Sequence, residues 1–405
     1  MNFMQFFVWG AWLITIANYW FGTRHWDGTQ FGLVFGTMGI ASLYMPTLTG
    51  IMADRWINAE RLYGVLHLLY AGVLFYLPQV SNPSTFIYIM LLAMSFYMPT
   101  IALSNSISYT ALKNSPNSDV VKDFPPIRVF GTIGFIVAMW LTNLTGSKAT
   151  EYQFYIAGIG AIVLGLYSFS LPKCPPQHNK EEKSSLGLES FKLFGNYKMA
   201  LFFIFSMFLG GALQLTNAYG DVFLDEFKNI AEYKDSFVVK YSTIIMSISQ
   251  ISETLFILAI PFFLKRFGIK QVMLISMLAW VLRFGLFAYG NPTDGLWMII
   301  LSCIVYGMAF DFFNISGSLF VETSTSAKIR SSAQGLFMMM TNGFGAILGS
   351  FTSGWAIEKY FTHEGVRDWH NIWLAFAAYS LVIAVLFAIF FKHKHNPDDV
   401  AQVSH

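Results

Sequence analysis

Long apolar stretches alternate with short polar ones along almost the whole chain of 405 residues. Each apolar stretch is about 20 residues or longer, which is the length that an α-helix needs to cross a bilayer. The pattern therefore predicts an all-α polytopic membrane protein. We expect twelve spans, at residues 2–22, 29–53, 60–80, 84–111, 118–147, 151–172, 199–223, 236–264, 269–290, 294–322, 331–360 and 369–392.

One long polar interruption divides these spans into two sets of six. We expect a six-helix bundle at 1–172, a cytoplasmic linker at 173–198, a second six-helix bundle at 199–392 and a cytoplasmic tail at 393–405. Six plus six spans are typical of the major facilitator fold, in which two related bundles alternate the access of a midplane site to the two sides.

Composition and charge agree with a membrane location. The mean hydropathy is +0.51 and 12% of the residues are charged, whereas soluble proteins contain about 25%. Most lysines and arginines outside the spans fall on the side that holds both termini, which indicates that both termini are cytoplasmic. No basic block points to nucleic acid, and Cys174 and Cys303 have no metal-site spacing. We expect no cofactor and no metal.

A short motif follows the second span, in the sequence GIMADRW at residues 50–56. Gly50, Asp54 and Arg55 resemble the G-x-x-x-D-R signature that major facilitator proteins carry between helices two and three. The glycine would permit close helix approach, the aspartate suits a helix N-terminus, and the arginine would pair with a carboxylate when the inner side is closed. An ordinary helix end is the alternative.

Two carboxylates fall inside spans of the second half. Glu253 lies near the middle of 236–264, one helical turn after Gln250, and Asp311 lies near the middle of 294–322. Carboxylates at this depth are costly and commonly functional. The alternative for Glu253 is a structural ion pair or a protonated, hydrogen-bonded side chain. We expect Arg283 to be the ionic partner of Asp311 if their helices meet.

In the first half, Arg128, Thr132 and Phe135 follow one another at helical spacing on one face. If the helix starts near Ser118, Arg128 lies close to the midplane, and this interpretation is favoured by the other two residues. If the helix starts at Ile127, the arginine is only a cytoplasmic end charge.

Two further pairs of residues share helix faces in the second half. Gln214 and Asn217 are three apart in 199–223, and Tyr306 and Phe310 are four apart in 294–322. Hydrogen bonding between helices is the alternative to binding for the two amides.

Five stretches of the chain resemble the bacterial nucleoside:proton symporter family of the major facilitator superfamily. They are FPPIRVFGTIGF (124–135), FFIFSMFLGGALQLTN (202–217), IIMSISQISETLFIL (244–258), YGMAFDFFNISGS (306–318) and MMTNGFGAILG (339–349). The resemblance covers nearly the whole chain and is weakest at 173–198. It implies proton-coupled nucleoside uptake by alternating access, broad toward purine and pyrimidine nucleosides, at the cytoplasmic membrane of a bacterium.

The family's binding positions match residues already singled out by depth and face. They are Arg128, Thr132, Phe135, Gln214, Asn217, Gln250, Glu253, Tyr306 and Phe310. In this interpretation Glu253 accepts the ribose hydroxyls through charge-assisted bonds, the amides and Arg128 contact polar atoms, and the aromatic rings stack on the base. Asp311 is the expected proton carrier, with Glu253 as the alternative.

Other functions remain to be distinguished. A carrier of the same fold for xanthosine only, for a sugar or for a drug is the nearest alternative. A membrane enzyme would need a nucleophile, a metal cluster or a large catalytic loop, and a receptor would need a soluble output domain. We therefore expect a transporter and not an enzyme, a monomer whose partners are nucleosides, protons and membrane lipid.

Overall fold

The computed structural model describes residues 1–115, 120–176, 188–326 and 329–394, apart from a few side chains such as that of Asp54. These residues form two compact units. Unit 1 lies within Met1–Lys183 and Asn217–Val222, and unit 2 lies within Ser184–Thr216 and Phe223–His405. The middle of the predicted linker, 177–187, and the end of the predicted tail, from residue 395, lie outside the described residues.

Six α-helices form most of unit 1. They are α1 (Asn2–Gly10), α2 (Gly28–Arg55), α3 (Ala59–Tyr76), α4 (Pro83–Lys113), α5 (Val120–Leu144) and α6 (Tyr152–Ser168). A π-helix at Asn18–Thr23 and short 3₁₀ turns at Leu77–Gln79 and Ser147–Ala149 lie between them. The predicted first span is thus broken after Gly10, where Trp12 and Thr15 make tighter i→i+3 backbone bonds.

Unit 2 contains the remaining helices, apart from the segment Asn217–Val222, and a two-stranded hairpin. The helices are α7 (Tyr197–Glu226), α8 (Phe237–Lys240), α9 (Ser242–Tyr289), α10 (Leu296–Ser324), α11 (Arg330–Met338), α12 (Ala346–Tyr360) and α13 (Trp369–Phe390). The strands are β1 (Thr362–His363) and β2 (Val366–Arg367), which pair antiparallel. The 3₁₀ segments are Leu188–Gly195 and Phe227–Asn229, and a π-helix at Met339–Gly345 joins α11 to α12.

Some of the helices begin where the sequence supplies a side-chain cap. Asn82 accepts hydrogen bonds from the backbone of Ser84 and Thr85 at the start of α4, and Asn196 does the same at the start of α7. Such caps satisfy backbone donors that have no partner inside the helix. Among the described residues, eight helices are long and apolar enough to cross a membrane.

Glycines let particular helices of each unit approach closely. A Cβ atom on Gly134 of α5 would lie 2.0 Å from the carbonyl oxygen of Phe3 in α1. In unit 2, a Cβ atom on Gly307 of α10 would lie 2.6 Å from the carbonyl of Ser252 in α9. Membrane helices pack through small residues because no hydrophobic effect drives them together. These two contacts fix the helices that carry most of the candidate site residues.

The longest helix, α9, contains one non-helical residue. Gly268 has φ 76° and ψ 170°, a conformation that is essentially restricted to glycine. It separates the predicted eighth and ninth spans, which otherwise follow one another without a loop. With α9 counted as two spans, and α11 and α12 with their π-helix as one, the described helices correspond to the twelve expected spans.

Candidate functional site

In unit 1, α5 carries the predicted stripe of Arg128, Thr132 and Phe135. The helix begins at Val120 in the described residues, so about 12 Å of helix precede Arg128. The alternative start at Ile127 is therefore wrong. The guanidinium of Arg128 lies 4.2 Å from the centre of the Phe6 ring, a distance at which a cation is attracted to an aromatic face.

Phe135 is held from behind by α1. Its ring meets Trp9 edge-on, with the ring centres 6.2 Å apart, and its backbone lies against Gly10, where a Cβ atom would come within 2.6 Å of the Phe135 oxygen. Thr132, one turn earlier, is half-buried. The backbone of the stripe is thus fixed against α1, while the Arg128 side chain stays exposed.

A polar cluster around Gln5, which the sequence analysis did not single out, joins three helices of unit 1. The side chain of Gln5 accepts from the Tyr63 hydroxyl at 2.6 Å and donates to Thr100 at 2.8 Å. The Tyr97 hydroxyl donates to the Gln5 carbonyl at 2.8 Å. The sequence signal that could have found it is a glutamine inside the predicted first span. Its bonds connect α1, α3 and α4, so it serves the packing of unit 1.

In unit 2, the expected aromatic pair forms on α10. Tyr306 and Phe310 lie nearly parallel, with an interplanar angle of 8° and ring centres 5.9 Å apart. Trp280 meets Tyr306 edge-on at 5.8 Å. Tyr306 is buried and Phe310 is half-buried, so the surface that suits stacking on a planar group belongs to Phe310, with Tyr306 packed against it.

The two predicted site carboxylates of unit 2, Glu253 and Asp311, lie near one another. Glu253 is half-buried on α9, beside Gly307 of α10. Asp311, one turn further along α10, is 5% exposed and is close enough to Glu253 for the two groups to interact electrostatically. One Asp311 oxygen and the Gln250 amide oxygen have no hydrogen-bond partner among the described residues.

The predicted ion pair between Arg283 and Asp311 is wrong. No such pair occurs among the described residues; Arg283 instead donates to the backbone oxygen of Ser302 at 2.6 Å. Ser302 lies nine residues before Asp311 on α10, or about 14 Å along the helix. The sequence places both residues in spans, but the register between antiparallel helices decides which side chains meet.

The amide pair of α7 is present, with different surroundings for its two members. Gln214 is 8% exposed, and its amide oxygen has no hydrogen-bond partner in the described residues. Asn217 is half-buried, and the segment Asn217–Val222 belongs to unit 1. Asp221, one turn further, is fully buried and accepts a hydrogen bond from Asn18. The sequence analysis missed Asp221, although it follows Asn217 at i+4.

The motif after the second span is only partly described. A Cβ atom on Gly50 would meet nothing within 4 Å, so the close approach expected at this glycine is not found among the described residues. Arg55 is the last residue of α2 and is exposed. The side chain of Asp54 lies outside the described part of the chain, and the role of the motif stays a prediction.

Two cavities, one within each unit of the described residues, do not match the predicted nucleoside site. A cavity of about 20 Å³ in unit 2 adjoins Phe310 and Asn314, which is space for about one water molecule. A cavity of about 370 Å³ in unit 1 is lined mainly by apolar residues such as Ile107 and Phe130, and by none of the predicted binding residues. In the described residues, no group of three or more His, Cys, Asp or Glu could hold a metal ion.

Spans in two sets of six, with polar side chains inside them, define the class of the protein. It is a multi-pass membrane transporter with the major facilitator fold. The crystal structure of the nucleoside transporter NupG superimposes with a TM-score of 0.91 at 50% sequence identity, over 97% of this chain and 98% of that chain.

Sequence comparisons give the family. The chain is 52% identical to xanthosine permease of Escherichia coli over 99% of this chain and 96% of the relative. It is 50% identical to nucleoside permease NupG of the same organism, over 100% of this chain and 98% of the relative. The family model described as nucleoside H+ symporter matches residues 1–396. The chain belongs to this family, and proton-coupled nucleoside uptake is its function.

Proposed function

We propose that this transporter imports both purine and pyrimidine nucleosides together with protons across the cytoplasmic membrane of a bacterium, by alternating access. Both termini would lie in the cytoplasm, as the distribution of lysine and arginine favours, and the protein would act as a monomer. The observation that carries the proposal is the pairing in unit 2 of a half-buried carboxylate, Glu253, with the parallel rings of Tyr306 and Phe310.

The chemistry of these side chains suits a nucleoside. The Glu253 carboxylate is acceptor-only when ionised and accepts both hydroxyls of a ribose diol. The Tyr306 and Phe310 rings offer an apolar face for a planar base. Gln214, Asn217 and Gln250 supply amide donors and acceptors for polar atoms of the substrate.

We propose that three residues of α5 also take part in nucleoside binding. Arg128 donates to a base carbonyl, Thr132 offers a hydroxyl and Phe135 offers a ring. The support is their position on one face of α5 and the firm packing of Phe135 against Trp9 and Gly10. Stacking does not distinguish one base from another, whereas hydrogen bonds to the ribose hydroxyls require the sugar. We therefore expect a site that is broad toward bases and strict about ribose.

Asp311 is our proposed proton carrier, and Glu253 is the alternative. An ionised carboxylate buried without a cation is costly, and Asp311 is buried with no ion pair among the described residues. Proton binding and burial of Asp311 are therefore linked. Protonation would favour substrate binding and closure, and loss of the proton would accompany release inside.

The decisive experiment is uptake of labelled uridine, adenosine, guanosine and xanthosine by vesicles, with and without a protonophore. We expect uphill uptake of all four, abolished by the protonophore. Uphill uptake that survives the protonophore would contradict proton coupling.

The alternative is a carrier for xanthosine alone, and the identities of 52% to xanthosine permease and 50% to nucleoside permease do not favour it. In the same vesicles it would accumulate xanthosine and leave uridine and adenosine outside. Accumulation of a sugar or a drug in place of all four nucleosides would overturn both candidates.

A further inference from the structure

Arg283 lies fully buried in the second part of α9, after Gly268, and makes hydrogen bonds to three other helical segments. Its Nε donates to the Thr216 hydroxyl of α7 at 3.3 Å. One Nη donates to the Ser249 hydroxyl in the first part of α9 at 3.4 Å and to the Ser302 carbonyl of α10 at 2.6 Å. No ion pair among the described residues includes it.

The segments that Arg283 connects are those that carry the proposed nucleoside ligands of unit 2. Thr216 adjoins Asn217 and follows Gln214 by two residues, and Ser249 immediately precedes Gln250. The guanidinium carbon lies 4.7 Å from the centre of the Tyr306 ring, and that ring stacks on Phe310. Arg283 thus contacts one aromatic ring of the proposed site, and its hydrogen-bond partners lie one or two residues from the proposed amide ligands.

Arginine has the geometry for this task. Its planar guanidinium presents donors in fixed directions and a flat face for an aromatic ring at the same time. A buried arginine is a costly way to pack helices, because apolar residues of similar volume pack as well or better. Packing alone therefore does not account for a cation at this position.

We propose that Arg283 is a positioning residue for nucleoside binding: it fixes the Tyr306 ring and the Gln250 and Gln214 segments relative to one another. Its charge attracts the face of the Tyr306 ring. The stack of Tyr306 and Phe310 is therefore held in place before the nucleoside binds. This inference rests on the proposed function of unit 2, since it requires Tyr306 and the amides to contact the nucleoside.

The test is uridine binding to the purified, detergent-solubilised protein by calorimetry. Arg283→Gln should raise the Kd roughly tenfold, and Arg283→Lys should restore part of the affinity because a cation remains near Tyr306. Arg283→Gln and Tyr306→Leu combined should weaken binding by little more than Tyr306→Leu alone, because both changes remove the same stacking contact.

Arg367→Gln is the matched control. Arg367 is a largely buried arginine of the same unit, pairs with Glu226, and is not among the proposed ligands. It should lower the thermal unfolding midpoint and leave the uridine Kd unchanged. If Arg283→Gln fails to fold, Ser249→Ala and Thr216→Val remove its hydrogen bonds singly, and at least one should weaken uridine binding.

Wild-type Kd in the Arg283→Gln variant, or in both single-bond variants if that variant does not fold, would overturn the inference and leave the proposed function standing. Full additivity with Tyr306→Leu would overturn it as well. Absence of uridine binding by the wild-type protein would instead contradict broad nucleoside transport, and the inference would fall with it.

Discussion

Two buried glutamines, Gln5 in unit 1 and Gln214 in unit 2, differ in how fully their amide groups are hydrogen-bonded. Gln5 bonds through both its amide oxygen and its amide nitrogen, to Tyr63 and Thr100. The Gln214 amide oxygen has no partner among the described residues. A buried polar atom without a partner costs about 1–3 kcal/mol. Gln5 therefore stabilises the fold, whereas Gln214 has an unmet bond that a substrate can supply.

The largest effect should come from the buried carboxylate of α10. Asp311→Asn removes the carboxyl that we propose takes up the proton but keeps a side chain of similar size. We expect loss of uphill, pH-driven uridine uptake, while exchange of labelled for unlabelled uridine stays measurable. Normal accumulation in this variant would remove Asp311 as the proton carrier and leave Glu253.

The second effect concerns the half-buried carboxylate of α9. Glu253→Ala should remove the hydrogen bonds that we propose it makes to ribose, each worth about 1.5–3 kcal/mol when one partner is charged. The uridine Kd by calorimetry should rise by roughly tenfold or more. As a control, 2′,3′-dideoxyuridine should bind wild type and variant about equally. A variant with wild-type uridine affinity would place Glu253 outside the site.

The third test applies one substitution to both glutamines. Gln5→Met leaves the Tyr63 hydroxyl without its acceptor and removes the bond donated to Thr100, so the free energy of unfolding should fall by about 1–3 kcal/mol, with uridine Kd unchanged. Gln214→Met should leave the unfolding midpoint unchanged or higher and raise the uridine Kd by roughly threefold or more. A raised uridine Kd in Gln5→Met, together with lost stability in Gln214→Met, would show that Gln5 binds the substrate and Gln214 stabilises the fold.

The smallest effect should come from a helix cap that lies away from both glutamines. Asp368 precedes α13 and accepts from the backbone and side chain of Asn371, which lowers the pKa of Asp368. A lowered pKa means that the stabilisation is present above about pH 4 and is lost as the pH falls through the folded-state value. Asp368→Ala should destabilise by about 0.5–1 kcal/mol at pH 7, with a smaller difference from wild type near pH 3, measured by thermal unfolding.

The sequence predicts the spans well because apolar length is a local property. The face shared by Arg128, Thr132 and Phe135 and the stack of Tyr306 on Phe310 also follow from spacing along one helix. The Arg283 contacts do not, because they depend on the offset between helices, which hydropathy leaves open. Asp221 was missed because it lies near the end of its predicted span, where an acidic residue commonly faces water.

Gly50 is a second case in which the sequence does not predict a contact between helices. A motif identifies a glycine but not its neighbours, and the described structure leaves open space where a close contact was expected. Gly134 and Gly307, which the sequence analysis did not single out, are among the glycines at close contacts. Which glycine is needed for packing is a property of the assembled helices.

Gly268 has a mechanical consequence for transport. A single glycine, rather than a loop, joins the half of α9 that carries Gln250 and Glu253 to the half that carries Arg283. A flexible loop would take up slack when one helix shifts, but one residue cannot lengthen. An axial displacement of the Glu253 segment would therefore also move the start of the Arg283 segment, and Gly268 is the point at which the angle between the two segments can change.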